Sequence, residues 1–147
     1  MIASVERATV IRRSAGDVFA FLAVPENHPR FVPGLIEFTA NPPGTGWKVG
    51  SSPRAKRKML GRELTVNYQF TVFEPDHRLG MSGNLGPIAF AGEYVLEPDG
   101  MQTRVVFRLK FELHGALVLA KPLLVQMGSS SGAQSLKQLK GLLEASR

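Results

Sequence analysis

The clearest signal along the chain is a period of two. Leu64, Val66, Tyr68, Phe70 and Val72 alternate with Glu63, Thr65, Asn67, Gln69 and Thr71, which places apolar side chains on one face of an extended strand. The pattern returns in Thr103, Val105, Phe107, Leu109, Phe111 and Leu113, opposed by Arg104, Arg108, Lys110 and Glu112. Phe90, Tyr94 and Leu96 form a third set between them. Such alternation predicts antiparallel strands with one packed and one wet face. Residues 4–13, rich in Val, Thr and Ile, predict a first strand. Glu97-Pro98-Asp99-Gly100 has the residues of a hairpin turn.

At the two ends the period changes to that of a helix. Ser14 stands three positions before Asp17, a plausible N-cap followed by a carboxylate that complements the helix dipole. Val18, Phe19, Phe21 and Leu22 follow with helical spacing until Pro25, where a second short helix over 25–32 starts and Pro33-Gly34 ends it. After Gly115, Leu136, Leu139 and Leu143 share one helical face, with Lys137, Lys140 and Glu144 off it. The expected architecture is α+β. One strand, two short helices and about six further antiparallel strands precede a long C-terminal helix, the natural cover for the apolar sheet face.

Four stretches, SAGDVFAFLAVPENHPRFVPG, GRELTVNYQFTVFEPDHRL, YVLEPDGMQTRVVFRLKFEL and LKQLKGLLE, resemble the START-like helix-grip superfamily (SRPBCC). They are most similar to its bacterial polyketide cyclase/dehydrase and lipid-transport branch, and together span nearly the whole chain. The resemblance implies a curved antiparallel sheet of about six to seven strands wrapped on the C-terminal helix. It also implies a cavity between them for a small hydrophobic ligand. Fold likeness alone does not carry an activity across.

Composition changes this picture little. The chain has 147 residues, no cysteine, 44% apolar and 20% charged residues, as expected for a single domain over 1–147. Without cysteine there are no disulfides and no thiolate metal sites. Residues 1–13 lack the apolar core of a leader peptide. The longest apolar-rich run, 116–127, contains Lys121 and Pro122 and falls short of the ~20 residues that span a bilayer. A cytoplasmic location is the expectation. The net charge of +6 admits an anionic partner such as RNA, the ribosome or an acidic membrane.

Much of that charge sits in RAKRKMLGR, residues 54–62. A two-residue turn at Leu60-Gly61 pairs Met59 with Arg62, Lys58 with Glu63 and Arg57 with Leu64. Arg54, Lys56 and Lys58 then share the wet face, and Arg57 turns to the apolar side between Ala55 and Met59. A loop one residue longer would invert the strand and bury three cations without partners, which is costly. The run therefore reads as a solvated strand face, with Arg57 alone a candidate for a ligand carboxylate or phosphate.

Other chemistry is sparse. His28, His77 and His114 are scattered, and none has metal-ligand spacing to another donor, so no metal is expected. There is no nucleophile-elbow motif and no phosphate-binding glycine loop, and no cofactor is implied. Gly128-Ser129-Ser130-Ser131-Gly132 suggests a flexible or broken helix segment, or small side chains that leave volume for a ligand. Tyr68 and Tyr94 fall on buried faces, where each hydroxyl needs a partner. With Arg57 they are the visible candidates for catalysis.

These features favour a binder or carrier of a lipid, polyketide or isoprenoid in a pocket of ~300–1,000 Å³. The expected lining is Trp47, Arg57, Tyr68, Phe70, Phe90, Tyr94, Phe107, Leu123 and Met127. A cyclase or dehydratase using a pocket tyrosine, and a basic adaptor docking on RNA, ribosomes or acidic membranes, are the alternatives.

Overall fold

The computed structural model describes residues 1–145. The first strand, β1 (Ile2–Ile11), leads to α1 (Ala15–Leu22), where the Ser14 hydroxyl accepts the Asp17 backbone N–H at 3.2 Å. That bond is the predicted cap, and it turns Val18, Phe19 and Leu22 into the core. The short helix after Pro25 is a 3-10 turn, Pro25–Arg30. Strands β2 (Leu35–Thr39), β3 (Arg54–Met59), β4 (Arg62–Thr65), β5 (Asn67–Glu74), β6 (Arg78–Leu85), β7 (Ile88–Asp99) and β8 (Gln102–Glu112) follow. A 3-10 segment, Gly115–Ala120, then runs into α2 (Lys121–Ala145).

The strands form two antiparallel sheets, one ordered β1-β8-β7-β6-β5 and one ordered β2-β3-β4. The helix-grip architecture is as expected, but its strands are divided where the sequence shows one continuous alternating run. Val66, Tyr68 and Phe70 all stay buried, while hydrogen bonding passes from β3 to β6 at Val66, whose N–H donates to Ala55 O at 3.2 Å. Alternation reports which face a residue occupies and carries no record of its partner strand.

Helix α2 packs along β1 and touches β8. Leu136, Leu139 and Leu143 are buried there as the helical period predicts. The segment 128–132 is unbroken helix, against the expectation of a flexible or interrupted one. Its glycines serve close approach: a Cβ at Gly128 would lie 3.3 Å from the Phe111 ring, and one at Gly132 would lie 3.3 Å from the Phe107 ring. Their missing side chains are used by the sheet rather than left for a ligand.

The C-terminal end of α2 is tied to the end of β1. Glu144 accepts the Arg12 backbone N–H at 2.9 Å, Lys140 Nζ donates to Val10 O at 2.6 Å, and Arg13 Nη1 donates to Leu143 O at 2.8 Å. The Lys140 ammonium, aided by the Arg12 backbone N–H, lowers the Glu144 carboxyl pKa to about 2. Alternating charges Glu6, Arg108, Glu93, Arg78 and Glu74 cross the five strands of the larger sheet's outer face. As exposed pairs they add little stability and mainly keep that face wet.

Candidate functional site

The β3–β4 turn decides where the basic run points. Leu60 and Gly61 adopt φ of 51° and 77°, a pair of left-handed residues that suits a two-residue hairpin. Met59 faces Arg62, Lys58 faces Glu63 and Arg57 faces Leu64, the register expected from the sequence. Arg54, Lys56 and Lys58 are exposed, and Arg57 is half-buried. Its Nη1 donates to the Tyr68 hydroxyl at 3.1 Å and its Nη2 to Pro33 O at 3.2 Å.

Tyr68 and Tyr94, from β5 and β7, stand on the concave face and are buried. The Tyr94 ring lies 5.0 Å from Phe107 and forms edge contacts with Phe31 and His28. Burial chiefly, then Tyr68, pushes the Tyr94 phenol up from its ordinary pKa, while Arg57 pulls it the other way. Its proton therefore stays in place at neutral pH. Among the described residues the Tyr94 hydroxyl makes no hydrogen bond, yet none of their sealed side-chain polar atoms is left unpaired. The hydroxyl must border space that water can reach, which leaves it available as a donor.

His28 was not among the expected site residues, but the structure places it in the centre of the aromatic cluster. Its ring lies 5.1 Å from Phe31, 5.2 Å from Phe38 and 5.4 Å from Trp47. Nε2 is 2.8 Å from Leu22 O; a carbonyl can only accept, so Nε2 carries the proton and Nδ1 is the free acceptor. Burial lowers its pKa to about 4, against the raising influence of the Leu22 carbonyl and Glu26. The overlooked signal was the spacing Pro25, His28, Phe31. In a 3-10 turn, side chains three apart eclipse, and all three are buried.

The expected lining residues separate into groups. Arg57, Tyr68 and Tyr94 come together, with Phe90 5.4 Å from Tyr68 and Phe107 on Tyr94. Trp47 and Phe70 instead lie in the sealed part of the core, their rings 4.3 Å apart, with Trp47 Nε1 donating to Val72 O at 3.1 Å. Leu123 and Met127 are 62% and 50% exposed. Gly128 and Gly132 seat the opposite side of α2 on the sheet, which turns Leu123 outward and leaves Met127 at the rim. From α2 it is the half-buried Leu142 that packs against the core instead.

On that side the sheet is incompletely covered. Met81, Leu85, Ile88, Phe90, Leu109 and Phe111 share the concave face, and all are only half-buried. The two best-formed depressions are open grooves elsewhere, of about 530 Å³ between β1 and α2 and about 390 Å³ beside β2 and β3. Neither is the enclosed chamber expected between sheet and helix. Aromatic rings fill one end of that space, and at the other the apolar residues of the sheet stay half-buried.

Residues 3–144 match the family described as polyketide cyclase/dehydrase and lipid transport. The chain belongs to this family. No curated protein matches it in sequence. Among solved structures it is similar to the Zhui aromatase/cyclase from Streptomyces sp. R1128, with a TM-score of 0.80 and 16% identity over 98% of this chain and 94% of that one. It is also similar to TTHA0849 from Thermus thermophilus, with a TM-score of 0.77 and 17% identity over 97% of each chain. Ara h 8.0201 gives a TM-score of 0.75 and 14% identity over 99% of each. At these identities the likeness establishes the fold of this polyketide cyclase/dehydrase and lipid-transport family member and nothing finer. Its described residues include no helix long and apolar enough to cross a membrane.

Proposed function

We propose that this protein binds a small, largely apolar molecule through the open end of the sheet–helix space, with the ligand's polar end meeting Tyr94 and Arg57. The observation that carries this reading is the unpaired hydroxyl of the largely buried Tyr94, near an inward Arg57 bonded to Tyr68. A carbonyl or carboxylate placed there would satisfy a donor that the protein itself leaves free. The half-buried strip from Met81 to Phe111 would take the apolar body.

Native mass spectrometry of freshly purified protein should reveal a co-purifying small molecule. With a carboxylate ligand, Arg57→Ala should weaken binding by ~1.5–3 kcal/mol, and a neutral analogue of equal shape should lose much less. Equal loss for both would return Arg57 to a structural role.

The cyclase alternative draws on the same tyrosine. With its proton firmly held, Tyr94 suits hydrogen bonding to a carbonyl better than proton abstraction. His28 is neutral at pH 7, with its one ring proton held by the Leu22 carbonyl. Binding is therefore the better-supported reading. The adaptor alternative rests on Arg54, Lys56 and Lys58, of which Arg54 stands 3.9 Å from Glu37 and Lys58 faces Glu63.

A further inference from the structure

The outer side of α2 has a feature that ligand binding does not use. Leu119, Leu123 and Met127 are 87%, 62% and 50% exposed and form an apolar stripe where the 3-10 segment enters the helix. Exposed large side chains clustered in this way usually mark a contact surface. No carboxylate occurs between Glu112 and Glu144, while Lys121, Lys137 and Lys140 do. Lys121 is the charged residue within the stripe itself, while Lys137 and Lys140 stand further along α2, Lys140 bonded to Glu144.

Beside the stripe runs the open groove of about 530 Å³, lined by Arg7, Pro122, Gln126, Ser129 and Ser130 among others. Arg7 lies over Gly132, and its Nη1 donates to the Ser129 hydroxyl at 3.1 Å. It forms no ion pair among the described residues, whereas Arg78 and Arg108 on the opposite face are paired with carboxylates. A guanidinium held by a neutral hydroxyl in a groove with further hydroxyl and amide groups suits a phosphate. The adjacent leucines and methionine suit the acyl boundary beneath that phosphate.

We propose that the first half of α2 and the Arg7 groove form a docking surface for an anionic phospholipid bilayer. The stripe would enter the interface, and one lipid phosphate would sit on Arg7 and Ser129. The lack of carboxylates is what favours a membrane over a second copy of the chain: two copies face to face would bring like charges together, whereas an anionic bilayer complements them.

The test is sedimentation with vesicles of phosphatidylcholine alone or with about 30% phosphatidylglycerol, at fixed salt. The wild-type protein should pellet with the anionic vesicles only. Leu119→Gln with Leu123→Gln, and separately Arg7→Gln, should each weaken this by ~10-fold or more. These are surface changes, and an unchanged thermal midpoint checks that the fold is intact. The triple change Arg54→Gln, Lys56→Gln, Lys58→Gln should retain more than half of the binding. Failure of the wild type to pellet would overturn the proposal, as would equal loss in the hairpin variant, which signals diffuse charge attraction. Two further results would overturn it: full competition by millimolar inorganic phosphate with no effect of the leucines, and a dimer that the leucine variant dissociates while vesicle binding is unchanged. None of these outcomes depends on what the interior binds.

Discussion

The two ends of the concave surface have the same alternating pattern and different fates. At one end Phe31, Phe38 and Phe70 are at most 2% exposed, and His28 and Trp47 pack between them. At the other, Phe90, Phe107 and Phe111 are half-buried on equally regular strands. The difference comes from what lies above them. The 3-10 turn and the small sheet cap the closed end, while the backbone of α2 runs closest to β1 and β8. A strand's apolar face specifies the need for a cover, and the cover's position decides whether the result is a core or a binding surface.

This contrast can be broken by mutation. Phe38→Ala at the closed end should cost ~3–5 kcal/mol in urea unfolding, as for a fully buried aromatic truncated in place. A loss below ~1.5 kcal/mol would mean that this end is not the tightly packed core described.

Acid should distinguish the ends next. His28 has its pKa lowered in the folded state to about 4 from an ordinary 6.5. Above 6.5 neither state binds the proton and stability is complete. Between 6.5 and 4 the unfolded chain takes it up and the folded one resists, so stability falls as pH falls, by roughly 3 kcal/mol at most. Urea midpoints at intervals across that window should show the slope, and His28→Leu should flatten it. Glu144 acts in a lower window: its depressed pKa gives stability that is present above about 4.5 and lost as pH falls toward 2. Glu144→Gln should leave the His28 slope intact and blunt the loss at lower pH.

The smallest stability effect belongs to the open end. Phe111→Ala should cost only about 1–2 kcal/mol, because the ring is incompletely buried before truncation. If that end is the ligand surface, its effect on bound-ligand signal in native mass spectrometry should exceed that of Phe38 variants which remain folded. The opposite order would place the ligand elsewhere.

Much was legible in the sequence because it depends on local chemistry. The Ser14 cap needs only a hydroxyl three residues before a free N–H. The Leu60-Gly61 turn needs two left-handed residues, and it alone determined that Arg57 faces inward while Arg54, Lys56 and Lys58 stay wet. The Leu136, Leu139, Leu143 face follows from helical period. Tertiary structure decided the rest. A histidine between two prolines gives no sign that the rings of Phe31, Phe38, Trp47 and Tyr94 will surround it. Trp47 and Phe70 read as lining residues, and only packing shows that they fill each other's space. Gly128 and Gly132 look like helix breakers until two phenylalanines of β8 occupy the room where their side chains would be. Leu123 and Met127 are apolar, but their direction depends on which side of α2 those glycines seat. Sequence period determines which residues share a face; the approach of other elements determines whether that face is sealed, half-open or turned to solvent.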